Sequence, residues 1–245
     1  MPSCIKKGKY KMKKVHIAIR FTDPILGMSP SNPNIYMDYI AANSPTPEYN
    51  DEELDALPSA DVLEDEGASE PLTVTVFPRT RDNMPCFYDY QIRGFFKDSC
   101  GLLSYVRGVD ETGKKTKKKA GTLSGKTTAY KKVIDGNIFV SPRKIPIEFD
   151  GDMTLCQRPL RAMTPMGERV ALACSEQIPE GAKIAFDVTL YNDEDVNLLA
   201  EWMAYGKDHG MGQWRNSGKG RFLVEEFIVT DVKDGMTPYF TIQHA

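Results

Sequence analysis

The segment Val15-His-Ile-Ala-Ile-Arg-Phe21 alternates apolar with other residues at period two and predicts a strand. Asp23, Pro24 and Gly27 break it. Leu72-Thr-Val-Thr-Val-Phe77 predicts a second strand. Gln91–Val106 changes period: Ile92, Phe95, Phe96, Leu102, Leu103 and Val106 fall on one helical face. Short strands are predicted at Ile138–Val140 and Ile145–Phe149, broken by Pro142 and Pro146. Lys183-Ile-Ala-Phe-Asp-Val-Thr-Leu190 alternates cleanly. Asn192 or Asp193 caps a helix running through Tyr205, with Val196, Leu199, Trp202 and Met203 turned inward. Arg221–Thr230 and Tyr239–Gln243 close the series as strands. The expected class is α+β: a ferredoxin-like (RRM-type) β-α-β-β-α-β core with long acidic and basic insertions.

Charge sharpens this picture. The net formal charge is -3, yet residues 21–78 hold 12 acidic side chains and no Lys or Arg. The remainder carries 31 basic against 22 acidic side chains, a net +9. A basic body interrupted by an acidic insertion at about 43–71 is compatible with nucleic-acid binding. Residues 1–12 read as a disordered basic leader, with Met12 as an alternative start. Residues 13–245 read as one domain. A second insertion, at about 108–140, is basic, with a lysine run spanning Lys114, Lys115, Lys117 and Lys118. Gly121-Thr-Leu-Ser-Gly125-Lys-Thr within it lacks the glycine spacing of a phosphate-binding P-loop and is read as flexible. Arg158, Arg161 and Arg169 mark a basic connector.

Five dispersed cysteines form no CxxC pair and fit reduced thiols in the cytoplasm. Three histidines argue against a His-built metal site. No cofactor, metal or membrane association is expected.

The most informative stretch is Gly210-Met-Gly212-Gln-Trp-Arg-Asn-Ser-Gly218-Lys-Gly220-Arg-Phe222. Glycines let a backbone approach a ligand closely. Trp214 offers a stacking face, and Arg215, Lys219 and Arg221 offer charge. The alternative is a glycine-rich hairpin with Trp214 as a core plug.

In order along the chain, these features resemble the RAMP superfamily, and within it the backbone subunit of type III CRISPR effector complexes. The resemblance is carried by Thr22-Asp-Pro-Ile-Leu-Gly27, by Val76-Phe-Pro-Arg79 with Asp82-Asn-Met-Pro85, and by Arg93-Gly94-Phe-Phe-Lys97. Glu176-Gln-Ile-Pro179-Glu-Gly181 and the glycine loop complete it. The chain also resembles uncharacterised prophage proteins.

The RAMP resemblance implies a non-catalytic subunit that binds single-stranded guide RNA along a basic face. It implies side-by-side assembly with copies of itself and with other effector subunits, in an antiviral ribonucleoprotein. Arg93, Lys97, Lys114, Lys115, Lys117, Lys118, Arg158, Arg161, Gly212, Trp214, Arg215, Gly218, Lys219, Gly220 and Arg221 are the candidate RNA contacts. The basic insertion would act as a thumb. Two alternatives stay open. One is an endoribonuclease of the same superfamily, with His209 as candidate base. The other is a phage protein acting through protein contacts alone, with the acidic insertion as docking element.

Overall fold

The computed structural model describes residues 12–31, 73–109, 115–164 and 167–232. At 73, 109, 115–120, 160–164 and 167–171 it describes the backbone alone. The acidic insertion, the leader before Met12 and the expected strand Tyr239–Gln243 lie outside the described residues. The architecture is mixed α+β with mostly antiparallel sheets. No helix among the described residues is long and apolar enough to cross a membrane.

Among the described residues, thirteen strands and three α-helices follow one another. The early strands are β1 (Lys13–Phe21), β2 (Ile25–Leu26), β3 (Ser29–Pro30), β4 (Thr73–Val76) and β5 (Cys86–Tyr88). Helix α1 (Asp89–Leu103) leads to β6 (Arg107–Val109) and β7 (Lys115–Ala120). Helix α2 (Tyr130–Asn137) precedes β8 (Ile138–Ser141), β9 (Lys144–Pro146), β10 (Thr154–Thr164), β11 (Gly167–Ile178) and β12 (Lys183–Leu190). Helix α3 (Asp195–His209) and β13 (Phe222–Asp231) end the series.

The principal sheet has the order β13-β1-β12-β8, antiparallel throughout. Period two decides its faces. Val15, Ile17, Ile19 and Phe21 of β1 are fully buried beneath the helices. His16, Ala18 and Arg20 occupy the opposite face. Its charges pair across strands: His16 Nδ1 lies 2.7 Å from Asp187, and Arg20 and Lys183 share Glu225 at 2.8 and 2.9 Å. Phe95 and Phe96 of α1 and Trp202 of α3 fill the core, with Phe96 and Trp202 stacked at 5.6 Å.

A second sheet runs β10-β11-β4-β3, with β2 also on β11. The β10–β11 hairpin replaces the expected basic connector. Its composition hid it: Pro159 and three arginines interrupt the alternation, and Leu155 and Leu172 are exposed. Glu176 fastens this sheet. It takes the Arg79 guanidinium at 2.7 Å and the Phe77 N–H at 2.7 Å, and the ion pair is mostly buried.

The stretch read as a flexible basic loop also carries structure. β6 pairs with β7, and α2 packs beside α1. At its centre, the Leu123 and Ser124 N–H groups and the Ser124 hydroxyl all donate to Glu201 of α3, at 2.8, 2.9 and 2.6 Å. Trp202 Nε1–H donates to the same hydroxyl at 3.0 Å. The P-loop-like turn thus holds the chain's own carboxylate.

Helix α1 begins two residues earlier than expected because Gln91 caps it, accepting the Tyr88 N–H at 2.8 Å. It stops at Leu103, so Val106 lies outside it and is exposed.

Gly206 of α3 packs against the Phe222 ring so closely that a Cβ there would overlap three ring carbons. Phe222 is fully buried and is held against Gly206 by ring contacts with Phe21 and Phe95. Alanine gains about 1 kcal/mol over glycine in helix propensity, whereas overpacking a closed core costs about 1–3 kcal/mol. Gly206→Ala should therefore destabilise the chain in urea unfolding. Gly136→Ala in α2, with nothing within 4 Å of the added carbon, should be neutral or stabilising.

Candidate nucleic-acid interface

The glycine loop is a closed, tightly wound return between α3 and β13. Gly210, Gly212, Gly218 and Gly220 all have positive φ, from 72° to 91°. The Met211 N–H donates to the Gly220 carbonyl at 2.8 Å, and the Gly220 N–H to the Pro24 carbonyl at 3.0 Å. At Gly220 a Cβ would collide with the Met211 carbonyl oxygen, so only glycine fits. The loop's base is therefore a rigid crossing of two backbone segments against the turn after β1.

Trp214 sits at the tip with φ 56°, a left-handed conformation that strains a residue with a side chain by on the order of 1–3 kcal/mol. It is 41% exposed, so the core-plug alternative does not hold. Two interactions hold it. Ser217 donates through its backbone N–H and its hydroxyl to the Trp214 carbonyl, at 3.1 and 3.0 Å. The Arg158 guanidinium of β10 lies 5.2 Å from its ring centroid, a cation–π arrangement. Arg158 is itself aimed by Gln213, whose side-chain oxygen accepts Nη2–H at 2.9 Å. Its buried Nη1 has no hydrogen-bond partner.

On another side of the loop, Asp98 of α1, His209 at the end of α3 and Arg215 converge. His209 Nε2 lies 2.7 Å from Asp98 Oδ2, Arg215 Nη1–H donates to the same oxygen, and the two nitrogens are 2.8 Å apart. One nitrogen cannot donate to the carboxylate and accept from the guanidinium at once. With its proton on Nε2 the ring donates to Asp98, and with Nε2 bare it accepts from Arg215. The imidazole stacks on Tyr205 at 5.1 Å. Burial pushes the Asp98 carboxyl pKa up, but the hydrogen bond from His209 and the Arg215 charge outweigh it and hold it below the ordinary value.

The remaining loop cations are also engaged. Arg221 makes a two-pronged contact with Asp23, Nε to Oδ2 at 2.9 Å and Nη2 to Oδ1 at 3.0 Å. That contact lowers the Asp23 pKa. Lys219 Nζ donates to Gln177 of β11 at 3.1 Å.

The structure thus brings Arg158, Trp214, Arg215, Lys219 and Arg221 onto one loop and the hairpin beside it. Arg93 and Lys97 are held elsewhere. Arg93 pairs with Asp89 within α1 at 3.3 Å, and Lys97 pairs with Asp135 of α2 at 2.6 Å. Lys115, Lys117 and Lys118 lie on β7, and Arg161 on β10, where the backbone alone is described. Lys114 lies outside the described residues. Asp98, Gln213, Asp23 and Gln177 were not among the candidates, and no local pattern marks them. They become partners only when α1, the turn after β1 and the β10–β11 hairpin meet the loop.

No family model and no curated protein matches the chain. Among solved structures, a chain from a cryo-electron microscopy structure of the type III-B Cmr-beta complex bound to cognate target RNA is similar at 12% identity and a TM-score of 0.43. The likeness covers 90% of the present chain and 61% of the other, so the present chain spans about three-fifths of that chain's length. No residue role is carried over from it.

The sign of the Asp98 shift sets a pH test. A carboxyl whose pKa is lower folded than unfolded adds stability above the unfolded value, near 3.8. That contribution disappears as pH falls through the folded value. Asp98→Asn should lower the melting temperature at pH 7, and the gap to the parent chain should close as pH is taken below about 4. Thermal melts from pH 2 to 7 check this.

Proposed function

We propose that the chain binds single-stranded RNA with the glycine loop and the Arg158 side of the β10–β11 hairpin. In this reading it is the non-catalytic backbone subunit of a CRISPR-like ribonucleoprotein, assembling side by side with copies of itself and with other effector subunits along a guide RNA. The order β13-β1-β12-β8, with α1 and α3 linking successive strands, supports reading the principal sheet as a ferredoxin-like core. The basic segment at about 108–140 is the proposed thumb.

The observation that carries the RNA reading is Trp214. A large aromatic ring is held half exposed, in a strained conformation, with a guanidinium on it. Core packing sets the loop's backbone there, which glycine would serve, but it does not call for an exposed ring, and a stacked base would use one. Arg215 and Arg221 supply charge by exchanging a carboxylate for a phosphate. RNA recognition by ring stacking on the open face of the sheet has less support, because Ala18 and Ala185 face each other there.

Fluorescence anisotropy with a labelled single-stranded RNA tests the reading. Trp214→Ala should weaken binding by about 1–3 kcal/mol for each stacked base lost. Replacing Arg158, Arg215 and Arg221 together should reduce the log–log salt slope by about 2, at roughly 0.7 per phosphate. Absence of binding at low salt, or an unchanged slope in the triple variant, refutes the proposal.

One observation favours a second reading, an endoribonuclease of the same superfamily. Asp98, His209 and Arg215 converge, and in the tautomer with the proton on Nε2 the Nδ1 of His209 would take a proton from a ribose 2′-hydroxyl, with Arg215 beside the ring for a phosphate. Incubating the purified chain with end-labelled RNA separates the two. Discrete fragments that vanish in His209→Ala establish cleavage, and intact RNA with binding retained excludes it.

A further inference from the structure

Arg215 and Arg221 of the glycine loop are both closed by carboxylates that come from outside it. Asp98 of α1 holds Arg215, and Asp23, in the turn after β1, holds Arg221. Asp98 also binds His209, so its pairing serves more than one group. The Asp23 contact is simpler. Nε and Nη2 of Arg221 each meet one of its carboxylate oxygens, at 2.9 and 3.0 Å. A guanidinium takes two phosphate oxygens through the same paired donors.

Further donors gather round the Asp23 carboxylate. The Thr22 hydroxyl lies 3.0 Å from it and 3.2 Å from the Arg221 carbonyl. Hydrogen bonds from Arg221 hold the Asp23 carboxyl pKa below its ordinary value against the opposing effect of burial, and Thr22 and the Lys219 charge act in the same direction as Arg221. The charge of Asp208 also reaches Arg221, less strongly than that of Asp23. The backbone around the pair is fixed. The Thr22 N–H donates to the Arg221 carbonyl at 2.8 Å, and the Gly220 N–H to the Pro24 carbonyl at 3.0 Å. The two side chains stay near the surface, 27% exposed for Asp23 and 43% for Arg221. Asp23 can therefore turn its carboxylate away about its own side-chain bonds while the backbone crossing stays in place.

We propose that Asp23 is a built-in competitor for an RNA phosphate at Arg221. Its carboxylate takes the anion position while the loop is empty and swings out when a strand arrives. This inference rests on the RNA-binding reading of the loop. The contact sets a threshold: a strand must displace a tethered carboxylate before Arg221 contributes. Asp23 thus lowers the affinity for RNA, and does so through Arg221. A positioning role predicts the opposite sign, because an arginine that Asp23 held ready for its ligand would bind less well without it.

A double-mutant cycle on the full chain tests it, read by fluorescence anisotropy with a labelled single-stranded RNA at low salt. Asp23→Asn removes the charge and keeps the side-chain shape. It should tighten binding about two- to fivefold, the range expected from releasing a weak pair near the surface. In an Arg221→Gln background the same substitution should change affinity by less than about 1.5-fold. An equal gain in both backgrounds is a general effect of charge and overturns the proposal. Unchanged affinity in Asp23→Asn overturns it too, and weaker binding replaces it with the positioning role. If Asp23→Asn fails to fold, as its thermal melt would show, Asp23→Ser decides through the same cycle. Failure of the RNA reading looks different: neither the parent chain nor Asp23→Asn then binds RNA, and both proposals fall.

Discussion

The ring of Phe222 ties together β1, α1, α3 and β13. It packs edge-on against Phe21 of β1 at 5.9 Å and Phe95 of α1 at 5.4 Å, and directly against Gly206 of α3. The first residue of β13 is thereby pinned beneath the last turns of the preceding helix. The chain from His209 to Phe222 must leave α3 and return almost to the same place. Such a return cannot be made with ordinary backbone angles, which is why four glycines and Trp214 adopt positive φ. The loop's shape follows from core packing, and its tip is then free to carry Trp214 and Arg215 at the surface.

Electrostatics divides the cations into two kinds. Arg79 and Glu176 are about 15% exposed and tie β11 to the segment after β4. Removing one partner there would strand a desolvated charge, at a cost of about 3–5 kcal/mol. Arg215 and Arg221 are different: their side chains are 31% and 43% exposed and their carboxylate partners lie near the surface. Pairs of that kind contribute roughly 0–1 kcal/mol, so exchanging the carboxylate for a phosphate costs little. Positive charge in the sequence becomes available charge only where the internal partner is weakly held. By that measure Arg221 is the most available of these cations, and Lys97, one-third exposed and paired with Asp135, is comparable to Arg215.

Elements built on one dominant period were legible in the sequence. β1, β12 and α3 were found because their apolar residues face one core and fall at regular spacing. The β10–β11 hairpin was not, because its exposed leucines and interleaved arginines remove the alternation. α2 was lost inside a lysine-rich stretch, since one buried residue, Ile134, is too little signal for a helix. At the site, Trp202 and Trp214 show the limit most clearly. Trp202 could be assigned to the core from its helical spacing with Leu199 and Met203. Trp214 had no periodic neighbour, and its exposure depends on a loop conformation that long-range packing dictates. The acidic partners were illegible for a related reason: Asp23 and Asp98 are remote from Arg221 and Arg215 in the chain, and only the fold makes them neighbours.

Phe222 also links the loop to the edge of the sheet. One side of its surroundings is the Gly206 contact that forces the return, and another is the groove between α3 and β13. The same side chain thus fixes the loop's base and lines the groove, so whatever fills the groove between α3 and β13 presses on the platform from which Trp214 and Arg215 project, without touching either.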